Sequence, residues 1–366
     1  METIGVNLLW LEPGVVGGSE EYTLSLLRAV HDLDPLDIEL KLFAQQGLID
    51  HHPDLEKRFE VLIAPKLPGG KAGRIAAEHT WLARQSADVR VVHHAGGVIP
   101  AGTAGPSMLT VLDLQPLDMP ENFGPVKRNW LGQMIPRSLE QAVVIVAPSR
   151  FTASRITELF DVDPQRVHVV PFALNDLTVP IDPSPTPVFV YPAIAYAHKR
   201  HSDLVEAFAI LRIDHPNAEL VLTGAPGPLT DAVRNQITAA GLGESVTVTG
   251  RIPRDELMAL MGAATAVVIP SEYEGFGVPA LEAMSLGTPV IVADAGSSPE
   301  IVGGCGIVVP PRQPARLAHA MHRVIVDPDH ARKFGEAGIQ RAANFGWEKS
   351  GRALVDAYRD ALAGSP

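Results

Sequence analysis

A single cysteine, Cys305, stands in a chain of 366 residues, so no disulfide can form within it. That usage fits a reducing, cytoplasmic compartment, and a small apolar role inside "GGCGIVV" suits Cys305 better than a reactive one. Basic residues are outnumbered: 30 Lys and Arg against 42 Asp and Glu leave a formal charge of -12. A nucleic-acid partner is not expected, because phosphate backbones demand a basic footprint. Long apolar runs are missing too. Those present are of strand length, and the start "METIGVNLLWLEPGVVGG" lacks the basic n-region and apolar core of a signal peptide, so no membrane span or secretory leader is expected. There is neither an internal repeat nor a low-complexity tract.

Apolar, β-branched runs alternate with helical patterns through most of the chain. Strands are expected at "TIGVNLLWL", "IELKLFA", "EVLIAP", "VRVVHHA", "SMLTVLD", "AVVIVAPS" and "RVHVVPF". "SEEYTLSLLRAVHDL" is expected as a helix capped by Ser19, and "SRFTASRITELF" as another. The rhythm stops at "LTVPIDPSPTP", where Pro180, Pro183, Pro185 and Pro187 predict a stiff linker. It then restarts with "VFVYPA", "AELVLTG", "VTVTG", "AVVIP", "PVIVAD" and "GIVVPP", interleaved with four helices. Such alternation predicts α/β architecture: two doubly wound, parallel-sheet, Rossmann-like domains facing a cleft. The boundaries fall at 1–175 and 176–349, with the final helix (350–366) packing back on the first domain.

"SEYEGFGVPALEAMSLGTPVIV", Ser271 to Val292, carries two glutamates eight positions apart, Glu274 and Glu282. Pro279 suits the first turn of a helix and Gly287 its end. Ser271 to Val278 then forms a strand-to-helix loop at the ligand edge of the sheet. Gly275 and Gly277 let the backbone approach a ligand closely. Amides at a helix start favour an anion, and carboxylates accept hydrogen bonds from paired hydroxyls. Amides for a diphosphate flanked by carboxylates for sugar hydroxyls is the functional reading; a capped helix with solvated glutamates is the plain one.

The block "PSEYEGFGVPALEAMSLGTPV" resembles the E-x7-E signature of family-four retaining glycosyltransferases of the GT-B fold. "GVVGGSEEY" is similar to that family's first glycine loop, and "VTVTGRIPRDELMALMGAA", "AGSSPEIVGGCGIVVPP" and "FGWEKSGRALVDAY" to its later segments. The resemblance implies that Glu274 contacts donor-sugar hydroxyls, that the amides of Gly275, Phe276, Gly277 and Val278 hold sugar and diphosphate, and that Glu282 holds the ribose. Arg251 and Ile252 would lie near the base, with a solvated charge the alternative for Arg251. Lys199 matches the phosphate lysine. Gly17 and Gly18 would approach the diphosphate or the acceptor, or simply make a turn.

The chain departs from the family pattern twice. An arginine common five places before the lysine is Ile194 here, with Arg200 a substitute or a surface charge. A histidine often found before an aspartate is Leu112, preceding Asp113. His93 and His94 are stand-ins on the acceptor side or structural histidines, and Asp113 orients the acceptor or caps a turn. The proline-rich loop from Leu114 to Pro125 is expected to shape the acceptor pocket. His198 and His201 have an H-x-x-H spacing, but adjacent cations oppose a metal there. Lys57, Arg58, Lys66, Lys71 and Arg74 make a basic stretch that would meet an anionic lipid surface or a phosphorylated acceptor, unless its charges are simply solvated.

The family implies retaining transfer of a hexosyl group from a nucleotide-diphosphate sugar to a glycan or glycolipid, with no metal and no cofactor. "PAIAYAHKRH" is similar to the variant in mannosyltransferases, which favours GDP-mannose over a UDP-sugar. A sugar-nucleotide epimerase of similar fold and a non-catalytic nucleotide-sugar binder are the alternatives. A glycolipid acceptor would bring the protein to the inner face of the membrane as a peripheral contact.

Overall fold

The structure, a computed structural model, describes residues 1–15, 17–66, 70–103, 105–175 and 184–364. It divides into two compact units, one of Met1–Ala173 with Gly346–Pro366 and one of Leu174–Phe345. Most of the expected linker, with Pro180 and Pro183, lies outside the described residues. No helix among the described residues is long and apolar enough to cross a membrane.

The first unit is built on seven parallel strands: β1 (Glu2–Asn7), β2 (Ile38–Ala44), β3 (Glu60–Ile63), β4 (Val91–His94), β5 (Ser107–Thr110), β6 (Ala142–Ala147) and β7 (Val167–Val169). Their order is β3-β2-β1-β4-β5-β6-β7. The second unit has six: β8 (Val188–Pro192), β9 (Glu219–Thr223), β10 (Val246–Gly250), β11 (Ala266–Ile269), β12 (Val290–Ala293) and β13 (Ile307–Val309), ordered β10-β9-β8-β11-β12-β13. Central strands such as β4, β11 and β12 are buried along their whole length, which is why they read as unbroken apolar runs. Each sheet has one point where the winding reverses, between β1 and β4 and between β8 and β11. Ligands of open α/β sheets bind beyond the carboxyl ends of the strands at such points.

Ten helices of eight or more residues cover the described parts of the sheets: α1 (Gly18–Leu33), α2 (Pro125–Gln141), α3 (Arg150–Leu159), α4 (His201–Asp214), α5 (Thr230–Ala239), α6 (Arg254–Ala263), α7 (Val278–Ser285), α8 (Pro314–Val326), α9 (Pro328–Ala342) and α10 (Trp347–Ala363). α3 is capped by Ser149, whose Oγ accepts from the amide of Thr152 at 3.1 Å. Ser19 does not cap α1; it lies inside the helix, which opens at Gly17 without a side-chain cap. Gly17 has φ +60°, and the conformation, not a side chain, turns the chain into the helix.

α10 belongs to the first unit. The backbone of Gly351 lies against α1, where a Cβ would meet that of Ala29 at 3.0 Å. The hydroxyl of Tyr358, fully buried, pairs with His93 Nδ1 at 2.9 Å. In the second unit α7 packs on α9 through Gly338, whose Cβ would lie 3.4 Å from Met284.

Candidate active site in the second unit

β8 and β11 adjoin, so the segments that leave them share one sheet edge. From β8 the chain runs through a 3-10 turn, Ala197–Lys199, into α4. From β11 it runs through Pro270 to Gly277 into α7. Tyr191, at the core of β8, fastens the two: its hydroxyl donates to the carbonyl of Lys199 at 2.9 Å and pairs with Ser271 Oγ at 2.8 Å. The amide of Glu272 donates to the carbonyl of His198 at 2.8 Å. The result brings Lys199 Nζ to 2.7 Å from Glu274 Oε1, with side chains only 20% and 11% exposed.

Glu274 is held from behind. The amide and the Oγ of Ser297 both donate to its carbonyl, at 3.1 and 3.0 Å. Gly296, at φ +61°, leaves room for this, since a Cβ there would sit 2.7 Å from the Glu274 nitrogen. Gly277, at φ 91°, is the N-cap of α7, and Pro279 occupies the first turn. Gly275, Phe276, Gly277 and Val278 thus form the entry to that helix, where the dipole favours negative charge. Phe276 is buried and meets Phe345 edge to face at 5.8 Å. Beside Gly277 lies Ser298, whose buried Oγ has no protein partner among the described residues.

Glu282 is 4% exposed and accepts from Arg254 Nη1 at 2.8 Å. A buried carboxylate needs such a partner, and Arg254, on α6, is one that the sequence reading did not single out. Arg200 is engaged by carboxylates: a fork to Asp203 at 2.9 and 2.8 Å, and Glu272 at 3.5 Å. Glu272 is further paired with Arg312. Arg200 therefore stands as a strut beside the site and not as a free cation. Arg251 is exposed and Ile252 half-buried, both following edge strand β10. Ile194 packs toward Gly227 in the segment after β9.

Burial, helped by the Lys199 charge, lowers the pKa of His198 to about 4, and burial lowers that of His201 to about 4 as well, so both rings are neutral near pH 7. They pack on different tyrosines, Tyr196 and Tyr191. Among the described residues no group of three His, Cys, Asp or Glu is placed to hold a metal ion.

The other expected residues lie in the first unit. Asp113 Oδ1 accepts from the amide of Gln115 at 3.0 Å, just ahead of the short helix Gln115–Asp118, whose N-cap position is Leu114. That helix and a 3-10 turn, Pro120–Asn122, occupy the stretch expected as a long loop. His93 is enclosed between Tyr358 and Thr110 Oγ1, the latter at 2.7 Å. Burial holds His93 and His94 neutral, each lowered to about 3. Gly17, the N-cap of α1, and Gly18, its first residue, are exposed, with open space where a Cβ would stand. Of the basic stretch, Arg58 pairs with Asp32 and Asp54, while Arg74 turns to the Trp10 carbonyl at 3.4 Å; the side chain of Lys71 lies outside the described residues.

Residues 180–341 match the family model for glycosyl transferases group 1, and residues 16–175 match that for Glycosyltransferase Family 4. The two matches abut across nearly the whole chain. This chain belongs to the family-four glycosyltransferases. The glycosyltransferase is 32% identical over 250 residues to an MMP alpha-(1->4)-mannosyltransferase of Mycolicibacterium hassiacum, a match spanning 65% of this chain and 60% of that protein. It is 26% identical over 378 residues to O-antigen chain mannosyltransferase B of Escherichia coli, covering 93% and 96% of the two. Among solved structures it superposes on sucrose-phosphate synthase of Thermosynechococcus elongatus with a TM-score of 0.77, at 20% identity and over 99% and 100% of the chains. HepE from Anabaena, solved with UDP-glucose, gives 0.75 at 18% identity over 98% and 100%. The expected GT-B fold is thereby borne out, and enzyme membership displaces the epimerase and non-catalytic readings.

Proposed function

We propose that the glycosyltransferase moves a hexosyl group, mannosyl from GDP-mannose in the first place, to a hydroxyl of a glycan or glycolipid with retention of configuration. The observation that carries this reading is the Lys199–Glu274 pair at the switch point of the second sheet, 2.7 Å apart beside the start of α7. An ammonium answers the charge of a leaving diphosphate, and a carboxylate answers sugar hydroxyls. Both mannosyltransferase relatives support the sugar. A UDP-sugar is the second reading, because HepE was solved with UDP-glucose.

In this mechanism donor binding draws Lys199 from Glu274 to the diphosphate. The bond from C1 of the sugar to the diphosphate oxygen breaks, and Lys199 with the amides at the start of α7 takes up the charge. The acceptor oxygen bonds to C1 on the same face, and its proton passes to the departing phosphate oxygen. Glu274 holds sugar hydroxyls, and Glu282, kept in place by Arg254, holds the ribose. Leu112 is tolerated since this scheme needs no side-chain base, and it needs no bound metal where Lys199 and the amides of α7 meet the charge. A glycolipid acceptor would place the enzyme at the cytoplasmic face of a membrane.

Turnover of GDP-mannose, UDP-glucose and ADP-glucose, followed by release of the nucleotide, tests the reading. GDP-mannose is expected to be consumed fastest. Lys199→Ala and Glu274→Ala are expected to lower the rate by about 10²–10³-fold while melting normally, the scale of losing one charge-stabilising group. Turnover by both variants at the parental rate would remove these residues from the site.

A further inference from the structure

Two ion pairs join the segment that follows β8 to the one that follows β11. Lys199 and Glu274 make the first, and Arg200 and Glu272, at 3.5 Å, make the second. On the proposed function the first pair opens when Lys199 turns to a diphosphate; nothing requires the second to open. The second pair also extends in both directions. Arg200 forks onto Asp203 at 2.9 and 2.8 Å, and Arg312 reaches Glu272 with both Nε and Nη2, the latter at 3.1 Å. Asp203, Arg200, Glu272 and Arg312 therefore alternate in sign along one ladder, from the first turn of α4 to the segment after β13. Its carboxylates are sheltered, the side chains of Asp203 and Glu272 being 11% and 10% exposed.

The two arginines hold an unusual backbone. Among the described residues three besides glycine have a positive φ, and two of them are Arg200 at 53° and Arg312 at 56°. A side chain with a Cβ is strained in that region, and such strain persists where the surroundings hold it. Glycine would make either turn more easily but would bring no guanidinium. Packing around Arg312 is incomplete, since a small cavity lined also by Asp203, Pro270, Ala293, Val309 and Leu317 lies against it. The Glu272 carboxylate supplies what packing does not, through charge-assisted bonds about twice as strong as neutral ones.

We propose that Glu272 is a positioning residue for the transfer: clamped by Arg200 and Arg312, it keeps the Lys199 and Glu274 segments in register once donor binding has drawn Lys199 off Glu274. The need is geometric. When Lys199 leaves Glu274, one of the two side-chain ion pairs between the segments is lost, and the ammonium must still stand at a fixed distance from the carboxylate that holds the sugar. The bond from the Glu272 amide to the His198 carbonyl is a backbone link and survives a change of side chain, so a side-chain variant reports on the clamp alone. The part played by Lys199 in transfer rests on the proposed function; the clamp rests on the second unit by itself.

The test uses the full chain with its lysines labelled with ¹³C at Cε, Lys199→Ala assigning the Lys199 signal. Glu272→Gln removes the charge and keeps the shape. Arg312→Gly removes the guanidinium and suits the left-handed φ, so it carries the test if the glutamine variant does not fold. In both, the Lys199 signal is expected to move or broaden. In both, kcat/KM is expected to fall about 10–100-fold, the scale of a misplaced catalytic group, with GDP-mannose or with UDP-glucose if that is what the parent consumes. Arg312→Lys, which keeps the charge with a single donor group, is expected to recover part of the rate. A merely structural ladder would lower the melting temperature and leave the Lys199 signal and the rate of the folded protein as in the parent. An unchanged Lys199 signal in the variants that fold, or a parental kcat/KM beside a moved signal, would overturn the proposal. If the parent turns over neither donor, the proposed function fails while the Lys199 signal still decides on the clamp, so the two readings fail separately.

Discussion

On the proposed function the Glu274 carboxylate faces the donor sugar, and the backbone that carries it is fastened from behind. Ser297 supplies two hydrogen bonds to its carbonyl, and Gly296 supplies the space behind it. Gly296→Ala would put a Cβ in the left-handed region and into the Glu274 nitrogen at 2.7 Å. The expected outcome is a loss of about 1–3 kcal/mol in stability together with a drop in kcat/KM, read by urea unfolding and by donor turnover. An alanine variant with parental stability and rate would mean that this backbone is not held as described. Glu274 and Glu282 stood out in the sequence because a glycine-flanked loop between apolar runs is a local signal, and Lys199 through the family resemblance. Nothing in the sequence pointed to Arg254, Ser297 or Ser298, nor to the contact between Lys199 and Glu274. Those depend on which strands are neighbours, and β8 and β11 adjoin only across intervening β9 and β10 in sequence.

Among the elements, α7 presents the site and α9 supports it. Gly335 on α9 abuts the carbonyl of Gly287, the residue that ends the α7 segment at φ 75°. Gly335→Ala would force the two helices apart. A loss of about 1–3 kcal/mol is expected in the unfolding transition of the second unit, with Gly351→Ala, on α10, affecting the first unit instead. Equal unfolding curves for Gly335→Ala and the parent would contradict the close packing. The strands were legible because both faces of each sheet are covered, which makes apolar runs continuous. α7 was legible from Pro279 and Gly287. α2 was not: Pro136 interrupts it, and Val126 and Trp130, 85% and 41% exposed, blur its apolar stripe. The expected cap at Ser19 failed because Gly17 makes the turn one residue before the helix begins.

Over the whole molecule four histidines are buried uncharged, His93 and His94 in the first unit and His198 and His201 in the second. Their folded pKa values, about 3 and about 4, lie below that of an exposed imidazole. The unfolded chain thus binds more protons in acid. Their contribution to stability is complete above about pH 6.5 and drains away as pH falls toward 4 and 3. Unfolding in urea is expected to show a loss on the order of 1–2 kcal/mol per histidine between pH 7 and pH 5; a flat profile would mean that the fold leaves the proton affinity of these rings unchanged. Both sheets wind by the same rule. On the proposed function Lys199 holds the diphosphate of a nucleotide sugar, and calorimetric titration of GDP into the parent and into Lys199→Ala reads that contact. Binding to the parent and about a 10–100-fold weaker affinity in the variant are expected, the scale of one charged hydrogen bond. Equal affinity in both proteins, or no binding of GDP, UDP or ADP to the parent, would contradict it.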